Sequence, residues 1–274
     1  MTTKTALMVL GMHRSGTSSV AGALVLAGGA PPRRLMPAAT DNPKGFWEST
    51  AIADFNDRLL DQQSSSWHDW RALDSVEISN RPDRIIEGAK LLQEEFDDAS
   101  TIVVKDPRIC RVFPFWRNLL GTAGYDVIVV SPIRPPWEVA ASLASRNNMS
   151  LPSAFRLWMR HVLDAERASR GLQRHFILWP QFLNDWRSQL APLTRSSSLK
   201  LDLSEANAAL IATHLTTELH RQSEITPAPA AAMRTYRLLI QNAQHGEHPD
   251  TQRALDDIRL AFNEACEFIE PPAR

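Results

Sequence analysis

The chain begins with an apolar segment, a glycine-containing loop and a helical pattern, and this order constrains the fold more than any other feature. Residues 5–10 are almost uniformly apolar, as expected of a strand buried on both faces. The loop G-M-H-R-S-G-T-S occupies residues 11–18, and small residues over 17–27 predict a helix that ends at Gly28 and Gly29. A strand, a glycine loop and a helix in this order predict an α/β fold with an anion site in the loop.

Apolar strands and helical patterns then alternate along the chain. We predict further strands at residues 101–104, 126–133 and 175–179, and helices at 113–120, 136–145, 151–170 and 181–190. This alternation predicts a P-loop-like parallel β-sheet flanked by helices over residues 1–200. Residues 201–274 show only helical patterns, at 207–221, 233–241 and 251–268, and predict a helical C-terminal part packed on the same domain. Loops are predicted at 30–45, 194–198, 226–232 and 241–250.

The charge balance argues against bulk attraction of a polyanion. The 274 residues contain 30 Lys and Arg against 31 Asp and Glu, so nucleic acid and anionic membranes are not expected partners. Bases are nevertheless concentrated in residues 1–40, which hold no acid, and in 131–175, where seven arginines face three acids. An anion would therefore be bound locally.

Cysteine spacing and hydropathy indicate the compartment. Cys110 and Cys266 lie far apart, which predicts reduced thiols in a cytoplasmic protein rather than disulfides or a thiolate metal site. The apolar segments 6–10 and 20–30 fall short of the ~20 residues that a membrane span needs.

The loop differs from a nucleoside triphosphate site in one respect. Thr17 stands where G-x-x-x-x-G-K-[ST] has lysine, and Arg14 is the one cation inside the loop. The alternative is that the glycines of this loop form only a tight turn that binds no ligand. A nucleoside triphosphate normally needs that lysine and Mg²⁺, whereas a phosphosulfate transfers a less charged group. For a phosphosulfate, an arginine or lysine and backbone amides could suffice without metal.

Three segments together resemble sulfotransferases that use 3′-phosphoadenylyl sulfate (PAPS), in the bacterial branch with the G-M-H-R-S-G-T-S loop. The second segment is V-K-D-P-R at residues 104–108, and the third is I-R-P-P-W-E-V-A-A-S at 133–142. Pro135 replaces the Asn or Asp of the family pattern, and the glycine-rich C-terminal loop of the animal cytosolic enzymes has no match. The resemblance implies that the donor is bound by Gly11, His13, Arg14, Ser15, Gly16, Thr17, Ser18, Arg134 and Ser142.

The resemblance implies that Arg134 and Ser142 hold the 3′-phosphate, and a guanidinium fork and a hydroxyl are groups that suit a phosphate. The alternative is that Arg134 pairs with Glu138, one turn along the next helix, and that Ser142 is merely small.

Glu48 is the candidate general base for an acceptor hydroxyl. It ends G-F-W-E at residues 45–48, which resembles the G-[FYH]-[WF]-E of this branch, so Phe46 and Trp47 are expected to line the acceptor pocket. The alternative is an acid placed only to favour the N-terminus of the next helix.

Lys105 is the expected second catalytic cation, stabilising the leaving phosphate oxygen alongside Arg14. Asp106, Arg108 and Arg146 are candidates for substrate contacts. The sequence thus predicts an in-line transfer from PAPS, without metal, to a hydroxyl of a small molecule or carbohydrate. Two rivals stay open: a P-loop kinase in which Asp106 holds Mg²⁺, and an inactive nucleotide-binding scaffold.

Overall fold

The computed structural model describes residues 4–40, 42–74, 77, 79, 81–194, 199, 201–215 and 227–270. In this part of the chain the strands are β1 (Lys4–Val9), β2 (Thr101–Lys105), β3 (Tyr125–Ile133) and β4 (Gln173–Leu178). The helices are α1 (Thr17–Leu26), α2 (Thr50–Asp61), α3 (Pro82–Phe96), α4 (Ile109–Thr122), α5 (Pro136–Asn147), α6 (Leu151–Ser169), α7 (Trp179–Asn184), α8 (Trp186–Thr194), α9 (Glu205–His214), α10 (Ala230–His245) and α11 (Pro249–Glu267).

The strands form one parallel sheet in the order β2-β1-β3-β4. Thr5 on β1 pairs with Thr101 on β2 and with Asp126 on β3, so β1 is central. Strand β4 pairs with β3 and completes the sheet. All four carboxyl ends lie at the same edge, where parallel sheets of this kind bind ligands. The predicted α/β class is confirmed.

Alternate strand residues enter different core layers, which explains the continuous apolar run of β1. Ala6 and Met8 pack with α2, α3 and α4 on one face of the sheet. Leu7 and Val9 pack with α1, α7, α8 and α9 on the other face. A third layer joins α5, α6, α10 and α11 beside β3 and β4. Both faces are therefore covered, as a parallel sheet requires.

Several predicted elements need correction. Helix α3 was not predicted, and α4 begins at Ile109 because a kink at Val112 joins two helical segments. The predicted helix at 181–190 is two helices, interrupted at Asp185. The predicted loop at 241–250 is wrong in its first half, because α10 continues to His245. The end of the predicted helix 207–221, residues 195–198 and residue 226 fall outside the described residues, and the predicted loop at 226–232 is wrong from Ala230 onwards, where α10 begins.

No helix in these described ranges is long and apolar enough to cross a membrane.

His161 on α6 makes stability depend on pH. Its imidazole is fully buried and its Nδ1 lies 2.9 Å from the Leu157 carbonyl oxygen. Burial, followed by the charge of Arg111, lowers the pKa of His161 to about 3. In the unfolded chain the His161 imidazole takes up a proton near pH 6.5. The stabilisation that comes from burying the neutral ring is therefore complete above that pH and is lost as the pH falls towards 3.

We expect His161→Gln to flatten the acid side of the stability profile. Between pH 6.5 and 5 one such histidine accounts for about 2 kcal/mol of the free energy of unfolding. Urea unfolding of both proteins at pH 7.5 and 5.0 measures this, and the difference between the two pH values cancels any constant cost of the substitution. Parallel pH profiles for the two proteins would contradict the prediction.

Candidate functional site

The loop of residues 11–18 brings backbone donors to the carboxyl edge of the sheet. Arg14 and Gly16 have positive φ values of 68° and 86°, so the chain turns sharply before α1 begins at Thr17. The first N–H groups of a helix have no partner within it and attract an anion. Gly16, Thr17, Ser18 and Ser19 all line the cleft above this edge. The loop therefore has the geometry of an anion site.

Arg14, Arg134 and Ser142 lie together at the cleft. Arg14 Nε donates to Ser142 Oγ at 2.9 Å, and Arg134 Nη1 donates to the Arg14 carbonyl at 2.9 Å. Arg134 Nε also donates to Glu138 at 2.9 Å, so the alternative pairing exists beside the link to the loop. Burial lowers the pKa of Arg134, while Glu138 raises it. Two loops and α5 thus share one bonded cluster.

Lys105 and Glu48 form a buried ion pair on the other side of the cleft. Their side chains are 3% and 4% exposed, so the pair is shielded from water. Lys105 Nζ also donates to Ser18 Oγ and to the Phe46 carbonyl, both at 3.2 Å. The N-cap of α2 is Ser49, which accepts from the Ile52 amide at 3.1 Å. The side chain of Glu48 is therefore paired with Lys105, and Ser49, not Glu48, caps the N-terminus of α2.

These groups surround a cleft of about 410 Å³, a volume in the range of small-molecule sites. It is lined by His13, Arg14, Gly16, Thr17, Ser18, Ser19, Asn42, Pro43, Phe46, Glu48, Lys105, Arg134, Ser142, Ser145, Arg146 and Trp179. Among these described residues four are basic and Glu48 is the one acid. The cleft is therefore an anion-binding environment inside a nearly neutral chain.

His13 is held neutral at the cleft wall. Its ring packs edge-on against Trp67 with centroids 4.9 Å apart, and its Nε2 is buried without a partner among the described residues. Burial, then the charges of Arg108 and Lys105, lower its pKa well below 6.5. A neutral imidazole can both donate and accept a hydrogen bond.

Trp179 and Asn42 also line the cleft, and sequence reasoning assigned neither of them to the site. Trp179 is buried at the end of β4, and its ring lies 5.6 Å from the Arg134 guanidinium. Asn42 donates to the Gly45 carbonyl at 2.7 Å and to Ser18 Oγ at 3.3 Å. The position of Asn42 in the segment before Glu48 was the available signal. Nothing in the sequence indicated that Trp179 packs on the loop.

Two features require a glycine at position 16: the positive φ of its backbone and the close approach of the Trp179 ring. Its φ is +86°, and a Cβ there would overlap the Trp179 ring. Gly28 offers a matched control, because its φ is +106° and a Cβ there meets nothing within 4 Å.

We expect Gly16→Ala to destabilise the protein more than Gly28→Ala. Each substitution strains a left-handed backbone by about 1 kcal/mol, and overpacking against Trp179 adds about 1–3 kcal/mol at Gly16 alone. Urea unfolding of the two variants measures the difference. Equal losses would show that Trp179 does not restrict this position.

Three predicted substrate residues do not line the cleft. Trp47 packs against His214 behind the cleft wall. Asp106 is fully buried, accepts from the Arg108 amide and Nη1 at 2.9 Å, and accepts from Asn56 at 3.3 Å. Burial raises the pKa of Asp106 to about 6, against the charge of Arg108.

The side chain of Arg108 is turned away from the cleft by its acidic partners. It donates to Asp57 at 2.6 Å as well as to Asp106. Arg146, in contrast, lies at the cleft wall as predicted. Across the described part of the chain, no group of three His, Cys, Asp or Glu side chains is placed to hold a metal ion.

Solved structures similar to this chain include two sulfotransferases. Sulfotransferase STF1 from Mycobacterium tuberculosis H37Rv has a TM-score of 0.44 and 16% identity, over 77% of this chain and 71% of that one. The sulfotransferase domain of the Synechococcus PCC 7002 olefin synthase has a TM-score of 0.41 and 17% identity, over 98% and 96%. No family model and no curated protein sequence matches the chain.

Proposed function

We propose that the protein is a PAPS-dependent sulfotransferase that transfers a sulfuryl group to an acceptor hydroxyl. The observation that carries this proposal is the convergence, in one basic cleft, of the loop at 11–18, the Arg14–Arg134–Ser142 cluster and the Lys105–Glu48 pair. The first two are anion-binding groups. The third places a carboxylate beside a cation, as base-assisted transfer to a leaving phosphate needs.

The residues present fit a phosphosulfate nucleotide. Such a donor carries roughly four negative charges, because its 3′-phosphate is a monoester with a second pKa near 6. Four basic residues line the cleft, of which Lys105 is paired with Glu48 and Arg134 with Glu138. The N–H groups at the start of α1 and Arg14 would hold the 5′-phosphosulfate. Arg134 and Ser142 would hold the 3′-phosphate.

Bound PAPS supplies an activated sulfuryl group whose leaving group is a phosphate. Glu48 accepts the proton of the acceptor hydroxyl as the hydroxyl oxygen attacks sulfur. Protonation removes the negative charge of Glu48, so the Lys105 ammonium loses its counter-charge as negative charge grows on the leaving oxygen. The pair therefore couples activation of the acceptor to stabilisation of the leaving group. Phe46, beside Glu48, forms an apolar wall for the acceptor.

The environment of Asp106 argues against the kinase alternative. A metal-holding acid needs carboxylate oxygens that face the phosphates. Both Asp106 oxygens accept hydrogen bonds from Arg108, and the residue is fully buried outside the cleft lining. A catalytically inactive scaffold would have the same nucleotide-binding cleft as the enzyme, so the two alternatives are distinguished by measuring turnover.

Thermal unfolding with 3′-phosphoadenosine 5′-phosphate (PAP) tests the donor. At a concentration of 100 Kd a ligand adds about 2.7 kcal/mol of stability, which raises Tm by several degrees. We expect this rise with PAP, with or without Mg²⁺, and a smaller rise with adenosine 5′-phosphosulfate, which lacks the 3′-phosphate. Stabilisation by ATP with Mg²⁺ alone would support the kinase instead.

A transfer assay tests turnover. Labelled PAPS is incubated with a set of simple phenols and alcohols, and the compound that supports the highest rate becomes the probe acceptor. We expect PAP release to depend on the acceptor. PAP binding without any such turnover would support the inactive scaffold.

A further inference from the structure

Residues 42–48, which we call the acceptor-side loop, are fastened to the C-terminal end of α9. The Trp47 ring meets the His214 ring edge-on, with centroids 5.7 Å apart and planes at 89°. Lys44 Nζ donates to the Thr213 carbonyl at 2.8 Å. This carbonyl lies in the last turn of α9, where carbonyls lack partners within the helix and cations are favoured. A helix outside the cleft thus contacts the loop that carries Phe46 and Glu48.

The loop backbone needs such support. Gly45 and Trp47 have φ values of 85° and 57°, and a bulky non-glycine residue in this region is strained. Strained backbone persists only where surrounding packing holds it. Lys105 holds the end of the loop that faces the cleft, because its Nζ donates to the Phe46 carbonyl and pairs with the Glu48 carboxylate. The rings of Trp47 and His214 fasten the outer side.

Close packing, rather than a hydrogen bond between the rings, makes this contact. Trp47 Nε1 and His214 Nε2 are both buried without a partner among the described residues. A Cβ at Gly22 on α1 would overlap the His214 imidazole and crowd the Trp47 indole, so α1 has a glycine where both rings approach. Burial, then the charge of Lys44, lowers the pKa of His214 against the opposing effect of hydrogen bonds with the backbone of Ser19 and Ser18, so the neutral ring is favoured.

We propose that His214 is a positioning residue that, with Lys44, braces the acceptor-side loop and thereby sets the place of Glu48. Its meaning for catalysis rests on the function proposed above. The donor-side groups Arg14, Arg134 and Ser142 are bonded to one another, whereas α9 contacts the loop that carries Glu48. Loss of the brace is therefore expected to weaken use of the acceptor while leaving donor affinity nearly intact.

Trypsin reports the brace directly, because it cleaves after Lys44. We expect His214→Ala to speed cleavage at this bond by about tenfold, since each tenfold change corresponds to ~1.4 kcal/mol of lost local stability. The matched control is Leu210→Ala, on the same helix but 54% exposed. His214→Phe retains a ring against Trp47 and is expected to restore slow cleavage. Mass spectrometry separates this cut from cuts elsewhere.

Kinetics with the probe acceptor test the consequence for Glu48. We expect kcat/KM for the acceptor to fall by about tenfold or more in His214→Ala, because small displacements of a catalytic group are costly. The Kd of PAP is expected to stay within about threefold of the wild-type value, since it depends on the donor-side groups. A purely structural role would instead lower Tm and change both quantities together, and that result would overturn the proposal.

The two proposals fail in different ways. Unchanged cleavage after Lys44 in His214→Ala, with PAP binding intact, refutes the brace and leaves the proposed function standing. Faster cleavage after Lys44 in His214→Ala, in a protein that does not bind PAP, supports the positioning role of His214 and refutes PAPS as the donor. If His214→Ala does not fold, Lys44→Met removes the bond to Thr213 alone. Faster hydrogen exchange over residues 42–48 is then expected, and unchanged exchange refutes the brace.

Discussion

Glu48→Gln is expected to lower sulfuryl transfer to the probe acceptor by about 10²- to 10⁴-fold, the usual contribution of a general base. Glutamine matches the shape of glutamate but cannot take the proton. PAP binding is expected to persist or to tighten, because the substitution removes a negative charge from a basic cleft. Turnover and the Kd of PAP are measured on the same preparation. An unchanged rate would show that Glu48 is not the base.

The ion pair complicates this variant, and a double-mutant cycle resolves it. Glu48→Gln leaves the Lys105 ammonium buried without its counter-charge, a change that typically costs about 3–5 kcal/mol. The double variant Glu48→Gln, Lys105→Met removes both charges and is expected to recover stability but no turnover. Lys105→Met alone is expected to weaken PAP binding as well. A low rate in Glu48→Gln protein that is folded and binds PAP at the assay temperature is a loss of chemistry, whereas full turnover in the folded fraction would mean that the substitution acts only through stability.

Arg134→Lys is expected to weaken PAP binding by about 10- to 100-fold, although the charge is retained. The guanidinium donates through Nε to Glu138 and through Nη1 to the Arg14 carbonyl, so it supports the loop while facing the cleft. A lysine ammonium is a point donor and cannot keep this geometry. Isothermal calorimetry with PAP measures the loss.

Arg170→Lys provides the matched control for Arg134→Lys. Arg170 is a half-buried arginine paired with a glutamate four residues away, Glu166, as Arg134 is with Glu138. Arg170 does not line the cleft. We expect a modest stability loss from Arg170→Lys and an unchanged Kd for PAP. Equal losses of affinity in the two variants would mean that Arg134 acts only through the fold.

Local patterns predicted most of the sheet, since each strand is a buried apolar run with turn signals at its ends. Helix α3 was missed because its N-cap residue, Arg81, is not of a type that favours this position, and because the helix lies in an acidic stretch. Pro82 in its first turn and the spacing of Leu91, Leu92 and Phe96 were the available signals. The predicted start of α4 at Phe113 coincides with the segment after the kink, because Pro114 suits the first turn of a helix.

The site was predictable where motif residues follow strands directly. Arg14, Lys105 and Arg134 come just after or at the ends of β1, β2 and β3, and parallel topology brings these ends together. Asp106 follows β2 in the same way, yet its neighbour Arg108 turns back on it. Sequence position does not determine which partner a carboxylate meets, so this outcome needed the structure. The same holds for Trp47, whose ring turns towards α9.

The pairing of β1 with both β2 and β3 has a consequence for how the protein acquires its site. Thr5 pairs with Thr101 on one side and Asp126 on the other, so neither pairing forms until a long stretch of chain has been made and brought back. Such non-local contacts form late and slow folding. Arg14 follows β1, Lys105 is the last residue of β2, and Arg134 follows β3, so each depends on a different strand. A chain that has not yet formed both pairings therefore does not hold all three in place, and the donor is expected to bind only after the sheet is complete.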